Sequence, residues 1–127
     1  MQKITPHYEK ENNGHYTPGM IAGGMFYISG QLSLNPDTRE IPPGGIEAEI
    51  RQALDNLERV LKAAGLSREA VVQCRIYLAD IADWDKANGI YAEFFGAHKP
   101  ARIVVPTGKL HFGCLTEIEA IAEVEKK

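Results

Sequence analysis

Pro100-Ala101-Arg102-Ile103-Val104-Val105-Pro106-Thr107-Gly108-Lys109-Leu110-His111-Phe112-Gly113-Cys114-Leu115-Thr116-Glu117-Ile118-Glu119-Ala120-Ile121-Ala122-Glu123-Val124 is the stretch on which the fold turns. It holds two apolar runs separated by a loop rich in Gly and Pro. Ala101 to Val105 is short and β-branched, so it reads as a strand whose side chains alternate between faces. Arg102 and Val104 then share one face, and Ile103 and Val105 the other. In the second run Ile118, Ala120, Ala122 and Val124 form an apolar face, while Leu115, Glu117, Glu119, Ile121 and Glu123 form a mixed one. Both runs read as central strands. A charge in each demands an explanation, because an isolated buried charge is expensive. Two readings are open. One is a solvated sheet face, or an Arg–Glu ion pair that merely satisfies itself. The other makes Arg102 a fork for a small carboxylate and Glu117 a base that positions a water.

Toward the N-terminus, Val71 to Leu78 is a further strand, with Val72, Cys74, Ile76 and Leu78 alternating against Val71, Gln73, Arg75 and Tyr77. Between these strands Asp83 can cap a helix that runs to about Phe95 and stops at Gly96. Its core side is Trp84, Ala87, Tyr91, Phe94 and Phe95. Gly89 inside it points to close packing, and Asn88 is either a ligand-binding amide or an ordinary surface residue. An earlier helix is written by Ile46, Ile50, Ala53, Leu54, Leu57, Val60, Leu61 and Ala64, spaced at three and four residues, with Gly65 at its stop. Glu47, Glu49, Asp55, Glu58, Arg59 and Lys62 read as its solvated face.

Before that helix, Pro42-Pro43-Gly44-Gly45 and Asn35-Pro36-Asp37-Thr38 are breaks. Met25 to Ser29 is a strand ended by Gly30, and Gly30-Gln31 marks either a bulge or a close backbone approach. Asn12, Asn13, Gly14, Pro18, Gly19, Gly23 and Gly24 make the backbone turn repeatedly, with Tyr16 on this loop as a packing lid or a cleft hydroxyl. Lys3 to Thr5 is a short opening strand. The order is strand, strand, helix, strand, helix, strand, strand. That pattern predicts an α+β domain of two layers, a mixed β-sheet with both helices packed on one face. The sheet's other face, with Val71, Tyr77, Val104 and Ile121 among Gln73, Arg75, Arg102 and Glu117, is too apolar to stay wet and too charged for a core. A homo-oligomer follows from it.

The 127 residues are expected to form a single domain, 1–127, and the 44% apolar and 24% charged composition is that of a soluble globular protein. A net charge of -3 and no run of Lys or Arg make nucleic acid a poor partner. No apolar stretch reaches the roughly 18 residues that cross a membrane, and the N-terminus lacks a signal peptide's apolar core, so the cytoplasm is the default location. Cys74 and Cys114 form no C-x-x-C pair and read as free buried thiols. His7, His15, His98 and His111 show no metal-binding spacing, and no metal is predicted.

Residues 16–124 resemble the RidA (YjgF, or L-PSP endoribonuclease-like) family. The resemblance is carried by Gly14-His15-Tyr16, Ile28-Ser29-Gly30-Gln31, Leu54-Asp55-Asn56-Leu57 and Ala63-Ala64-Gly65-Leu66. It continues through Asn88, Tyr91, Phe94-Phe95, Pro100-Ala101-Arg102 and Glu117-Ile118-Glu119-Ala120-Ile121-Ala122. Each piece is weak alone, and their order and spacing are specific. The resemblance implies a chorismate-mutase-like fold, a homotrimer with clefts between adjacent subunits, and hydrolysis of reactive 2-imino and enamine acids to 2-oxo acids and ammonia. Such imines are released by pyridoxal-phosphate enzymes, which implies a functional link to them. In this chain the family's substrate-binding arginine falls on Arg102 and its water-orienting glutamate on Glu117. Its cleft tyrosine falls on Tyr16, its Ser-Gly pair on Ser29 and Gly30, its asparagine on Asn88, and a backbone carbonyl contact on Val104.

That chemistry suits these residue types. A guanidinium holds the imino acid's carboxylate by two parallel hydrogen bonds. The protonated C=N carbon is already electrophilic, so no cofactor is called for, and a positioned base supplies about 10²–10⁴-fold. This chain departs from the family in two places. Many relatives have a cysteine where Val104 stands, and the familiar Arg-Leu-Pro loop is replaced by Lys109-Leu110-His111-Phe112-Gly113-Cys114. His111 and Phe112 either line a pocket for a different substrate or only pack the loop. A 2-iminobutanoate/2-iminopropanoate deaminase is the leading function. The alternatives are a deaminase for a specialised enamine of aminomuconate or aminoacrylate type, a translation inhibitor with endoribonuclease activity, and a non-catalytic holdase or ligand-sensing trimer.

Overall fold

A computed structural model describes residues 1–124. Eight regular elements carry the chain: β1 (Gln2–Ile4), β2 (Gly19–Ala22), β3 (Met25–Leu32), α1 (Gly45–Ala63), β4 (Val71–Leu78), α2 (Trp84–Phe95), β5 (Ala101–Pro106) and β6 (Thr116–Glu123). The strands form one mixed sheet in the order β1-β2-β3-β6-β4-β5. Only β4 and β5 pair in parallel, and α2 supplies the crossover that a parallel pair requires.

The helical stripe of α1 is buried as its spacing demands. Ile50, Leu54, Leu57, Val60 and Leu61 lie against Phe26, Ile28, Ile76, Leu78, Ile118 and Ala120 of the sheet. Each of the large aliphatic side chains contributes about 1.5–3 kcal/mol on burial. Past Ala64, the Leu66 N–H returns to the Leu61 carbonyl (3.0 Å) and the Gly65 N–H to that of Lys62 (2.9 Å). This 6→1 and 5→2 closure requires the left-handed backbone that Gly65 adopts at φ +73°. From α2, Ala87, Ile90, Tyr91 and Phe95 join the same core. Both helices therefore cover one face of the sheet, as the pattern predicts. No helix among the described residues is long and apolar enough to cross a membrane.

Several expectations need correction. Gly19–Ala22, read as loop, is a strand, and it makes a two-residue hairpin into β3 through Gly23 and Gly24 (φ +59° and +76°). Four residues among glycines are too few to show a period. β3 does not end at Gly30 but runs on to Leu32, with its register against β6 shifted between Ile28 and Gln31, so the bulge reading holds. β5 is an edge strand rather than a central one. Its parallel register sets Arg102 opposite Cys74 and Val104 opposite Ile76, and both partners face the helices. Arg102 and Val104 thus lie on the helix side of the sheet, while Glu117 lies on the open side with Tyr77 and Glu119. A register shift between Val71 and Gln73 likewise turns Val71 into the core and leaves Val72 exposed.

Polar details differ too. Asp83 makes no capping bond at α2. Asp80 caps the preceding turn instead, accepting from the Ala82 N–H at 2.9 Å. Gly89 has open space where a Cβ would stand, so close packing does not account for it. Glu49 is buried rather than solvated, because its position one residue before Ile50 and three after Ile46 places it on the stripe itself.

Candidate active site

The bulge in β3 opens a cleft on the helix-free side of the sheet. It has a volume of about 950 Å³ and is lined by Tyr16, Ser29, Gly30, His111, Phe112 and Glu117, among others. Ser29 ties the bulge to the preceding loop: its N–H donates to the Pro18 carbonyl (2.9 Å) and its hydroxyl to that of Thr17 (2.6 Å). Tyr16, half exposed, is thereby held over one wall, where its hydroxyl meets the side-chain amide of Asn12. Gly30 sits directly against Glu117. A Cβ at Gly30 would stand 2.6 Å from Glu117 Oε2, so any side chain there would push that carboxylate from its place.

Of the acids that β6 turns to this side, the two that line the cleft, Glu117 and Glu119, are treated differently. Glu119 is compensated: it accepts the Tyr77 hydroxyl proton and lies 3.6 Å from the Arg75 guanidinium. Glu117 has no hydrogen-bond or ion-pair partner among the described residues. Partial burial raises its carboxyl above the ordinary 4.5, and the charge on Glu119 pushes the same way, against a smaller opposing effect of His111. An unpaired, half-buried carboxylate with a raised pKa is equipped to take a proton from a water.

Two buried polar groups of α1 hold this arrangement in place: Glu49, expected on the solvated face, and Asn56, named above only within the family motif. Glu49 Oε1 accepts from the Ser33 hydroxyl (2.7 Å) and from the Leu115 N–H (2.8 Å), clamping the end of β3 to the start of β6. Asn56 donates to the carbonyls of Leu32 (2.9 Å) and Leu34 (2.7 Å) and accepts from Gln52. Their signal was positional. Both lie on the buried stripe of α1, where a polar residue must find partners.

Arg102 belongs to a second cluster. Its Nη1 donates to Asn88 Oδ1 at 2.7 Å, and its guanidinium lies over the rings of Tyr91 (4.9 Å) and Trp84 (5.6 Å). The head group is exposed at the sheet edge, with Val104 half-buried beyond it on the same strand face. Asn88 is therefore neither idle nor free: it orients the arginine. Of the residues singled out from the sequence, Tyr16, Ser29, Gly30 and Glu117 share the cleft, and Arg102, Asn88 and Val104 form the other cluster. Within one chain the two sets face opposite sides of the sheet and share no cavity.

Both thiols are free and buried. Burial raises Cys74 to about 11, beside a Tyr91 hydroxyl that burial also raises; Cys114, next to Ser33 and Glu49, is raised for the same reason. Neither is poised as a nucleophile. No group of three or more His, Cys, Asp or Glu side chains among the described residues converges as a metal site would require.

The family described as Endoribonuclease L-PSP matches residues 8–124. A RutC family protein of Pyrococcus horikoshii is 43% identical over 112 residues, covering 88% of this chain and 89% of its own. The 2-iminobutanoate/2-iminopropanoate deaminase of Bos taurus is 39% identical over 109 residues, covering 86% and 80%. Among solved structures, the YjgF gene product of Escherichia coli superposes with a TM-score of 0.89 at 34% identity, covering 98% of this chain and all of that one. On the family match over residues 8–124, the identity to these relatives and the matching fold, the chain belongs to the RidA/YjgF/L-PSP family.

Proposed function

We propose that this protein hydrolyses 2-imino acids, of the 2-iminobutanoate and 2-iminopropanoate type, to 2-oxo acids and ammonia. The observation that carries this reading is the Glu117 carboxylate: half-buried, unpaired, raised in pKa and set against Gly30 in an open cleft. The deaminase activity named for the mammalian relatives supports it.

Because Arg102 faces away from the cleft of its own chain, the complete site needs a second copy. Arg102, Asn88 and Val104 of one subunit close over Tyr16, Ser29, Gly30 and Glu117 of the next. An edge strand bearing a half-exposed Ile103 (51%) beside a sheet face bearing Tyr27 (47%) supports such a contact, in a homotrimer. The arginine, already levelled by Asn88 and two aromatic faces, grips the substrate carboxylate. Glu117, aided by the Val104 carbonyl, holds a water against the C=N carbon. As the C–O bond forms, Glu117 takes the water's proton. It then returns that proton to the nitrogen of the carbinolamine, takes the hydroxyl proton as the C–N bond breaks and the carbonyl forms, and passes it to the departing ammonia, which leaves as ammonium. The oxo acid leaves with it, and the carboxylate is regenerated. Supply of the imine by pyridoxal-phosphate enzymes in the cytoplasm fits this chemistry.

The test couples the protein to a dehydratase that releases 2-aminocrotonate and follows oxo-acid formation. Arg102→Ala and Glu117→Gln each abolish the acceleration. Mixing the two variants after subunit exchange restores activity at about one quarter of the clefts, since random assembly pairs an intact Arg102 with an intact Glu117 that often. Wild-type rates in both variants would remove the assignment, and failure of the mixture to recover would remove the shared site. RNA cleavage that survives repurification and is lost in the same variants would favour the endoribonuclease reading instead.

A further inference from the structure

Only two non-glycine residues among those described adopt left-handed backbone, Arg39 (φ +64°) and Phe112 (φ +61°). They come from distant parts of the chain and their side chains meet. The Arg39 guanidinium lies 5.5 Å from the centroid of the Phe112 ring, which stacks on His111 at 3.7 Å. All three line the cleft that holds Glu117. Left-handed backbone is disfavoured for residues bearing a Cβ, and it persists where the surroundings over-determine it. Here the surroundings are a tightly wound loop. Asn35 Oδ1 accepts from the N–H groups of Asp37 (2.9 Å) and Thr38 (3.1 Å), and the Asn35 carbonyl accepts from Arg39 N–H (2.8 Å).

Arg39 differs from the other arginines in a second respect. Arg51, Arg59, Arg68 and Arg75 each pair with a carboxylate, and Arg102 with Asn88. Among the described residues Arg39 has no polar acceptor, and Glu11, on the same cleft, makes no ion pair with it. A guanidinium resting over a ring with its donors unused is a site for an anion.

We infer that Arg39, backed by Phe112 and His111, is a specificity subsite for a second carboxylate, so that the preferred substrate is an imine of an acidic amino acid. The inference rests on the proposed imine hydrolysis, with Arg102 of the adjoining copy holding the carboxylate next to the reacting carbon. Arg39 takes the one at the far end of the side chain, and the stacked rings flank the methylenes between.

An amino-acid oxidase acting on glutamate or alanine, with catalase present, supplies 2-iminoglutarate or 2-iminopropanoate for hydrolysis assays. The wild-type protein is expected to favour the dicarboxylic imine in kcat/KM by about tenfold, the scale of one charge-assisted carboxylate contact. Arg39→Gly and Arg39→Gln bring that ratio close to one, and Arg39→Lys keeps part of it. Arg39→Gly also holds or raises the melting temperature, because glycine suits φ +64°. The preference and its loss are therefore separable from misfolding. No preference in the wild type, or a ratio unmoved in Arg39→Gly, overturns the subsite while leaving the deaminase intact. Equal loss on both imines overturns it too, by assigning Arg39 to the reacting end. Hydrolysis of neither imine by the wild type removes the deaminase reading and this one with it.

Discussion

Gly30→Ala adds one methyl group, and the structure says where it goes. The new Cβ stands 2.6 Å from Glu117 Oε2, 3.0 Å from its Cδ and 3.4 Å from its Cγ. To regain ordinary contact the carboxylate oxygen must retreat by about 0.8 Å. It can do so, because it ends a flexible side chain with no hydrogen bond holding it. Gly30 does not adopt left-handed backbone, so alanine is locally permitted. The cost to stability is therefore small, within about 1 kcal/mol, and gains from a stiffer unfolded chain offset part of it. The cost to catalysis is not small: a base displaced by about 1 Å loses on the order of 10²-fold. The assay is kcat/KM for a dehydratase-generated imine, beside a thermal melt that should move by no more than about 5 °C. In a Glu117→Gln background the same substitution should add little, since the group it displaces is already disabled. If Gly30→Ala keeps most of its activity, or if the two losses multiply in full, Glu117 is not the base.

The identical change at Gly19 should do the reverse. Its Cβ would meet the fully buried Phe26 ring at 2.4 Å and Val60 at 3.2 Å, so Gly19→Ala loses about 1–3 kcal/mol in denaturant melts while kcat/KM of the folded fraction holds. Glu49→Ala strands the Ser33 hydroxyl and the Leu115 N–H in the core, a loss of roughly 2–4 kcal/mol by chemical denaturation; Glu49→Gln, which keeps an acceptor oxygen, recovers most of it. Glu117 has a folded pKa above its unfolded one, so the wild type loses stability as pH rises from the ordinary carboxylate value through the raised one. Glu117→Gln should accordingly melt higher at neutral pH, and the gap should close below pH 4.5, where both states of the wild type are protonated. The activity of the wild type should fall as pH drops through the same raised value, because a protonated Glu117 cannot accept the water's proton.

Periodicity carried the layers. The three- and four-residue spacing of α1 and the alternation in β6, and in β4 from Gln73 onward, depend on local geometry alone, so they were visible in sequence and they hold in the structure. β2 was not visible, because four residues flanked by glycines show no period and are strand only through their pairing with β1 and β3. The burial of Glu49 and Asn56 is hidden from the sequence for the opposite reason. Their positions on the stripe were plain, but the partners that make burial tolerable come from β3 and the start of β6.

What the residues alone determined is a two-layer α+β chain, a break in a strand at Gly30-Gln31, an arginine and a glutamate on separate strands, and the family to which they belong. Which way each charge points belonged to the tertiary structure. Alternation tells which residues share a face, but not which face meets the helices, and that was decided by the parallel register of Arg102 on Cys74 at the sheet's edge. Pairing across a sheet is a long-range event, so a single strand's sequence does not contain it.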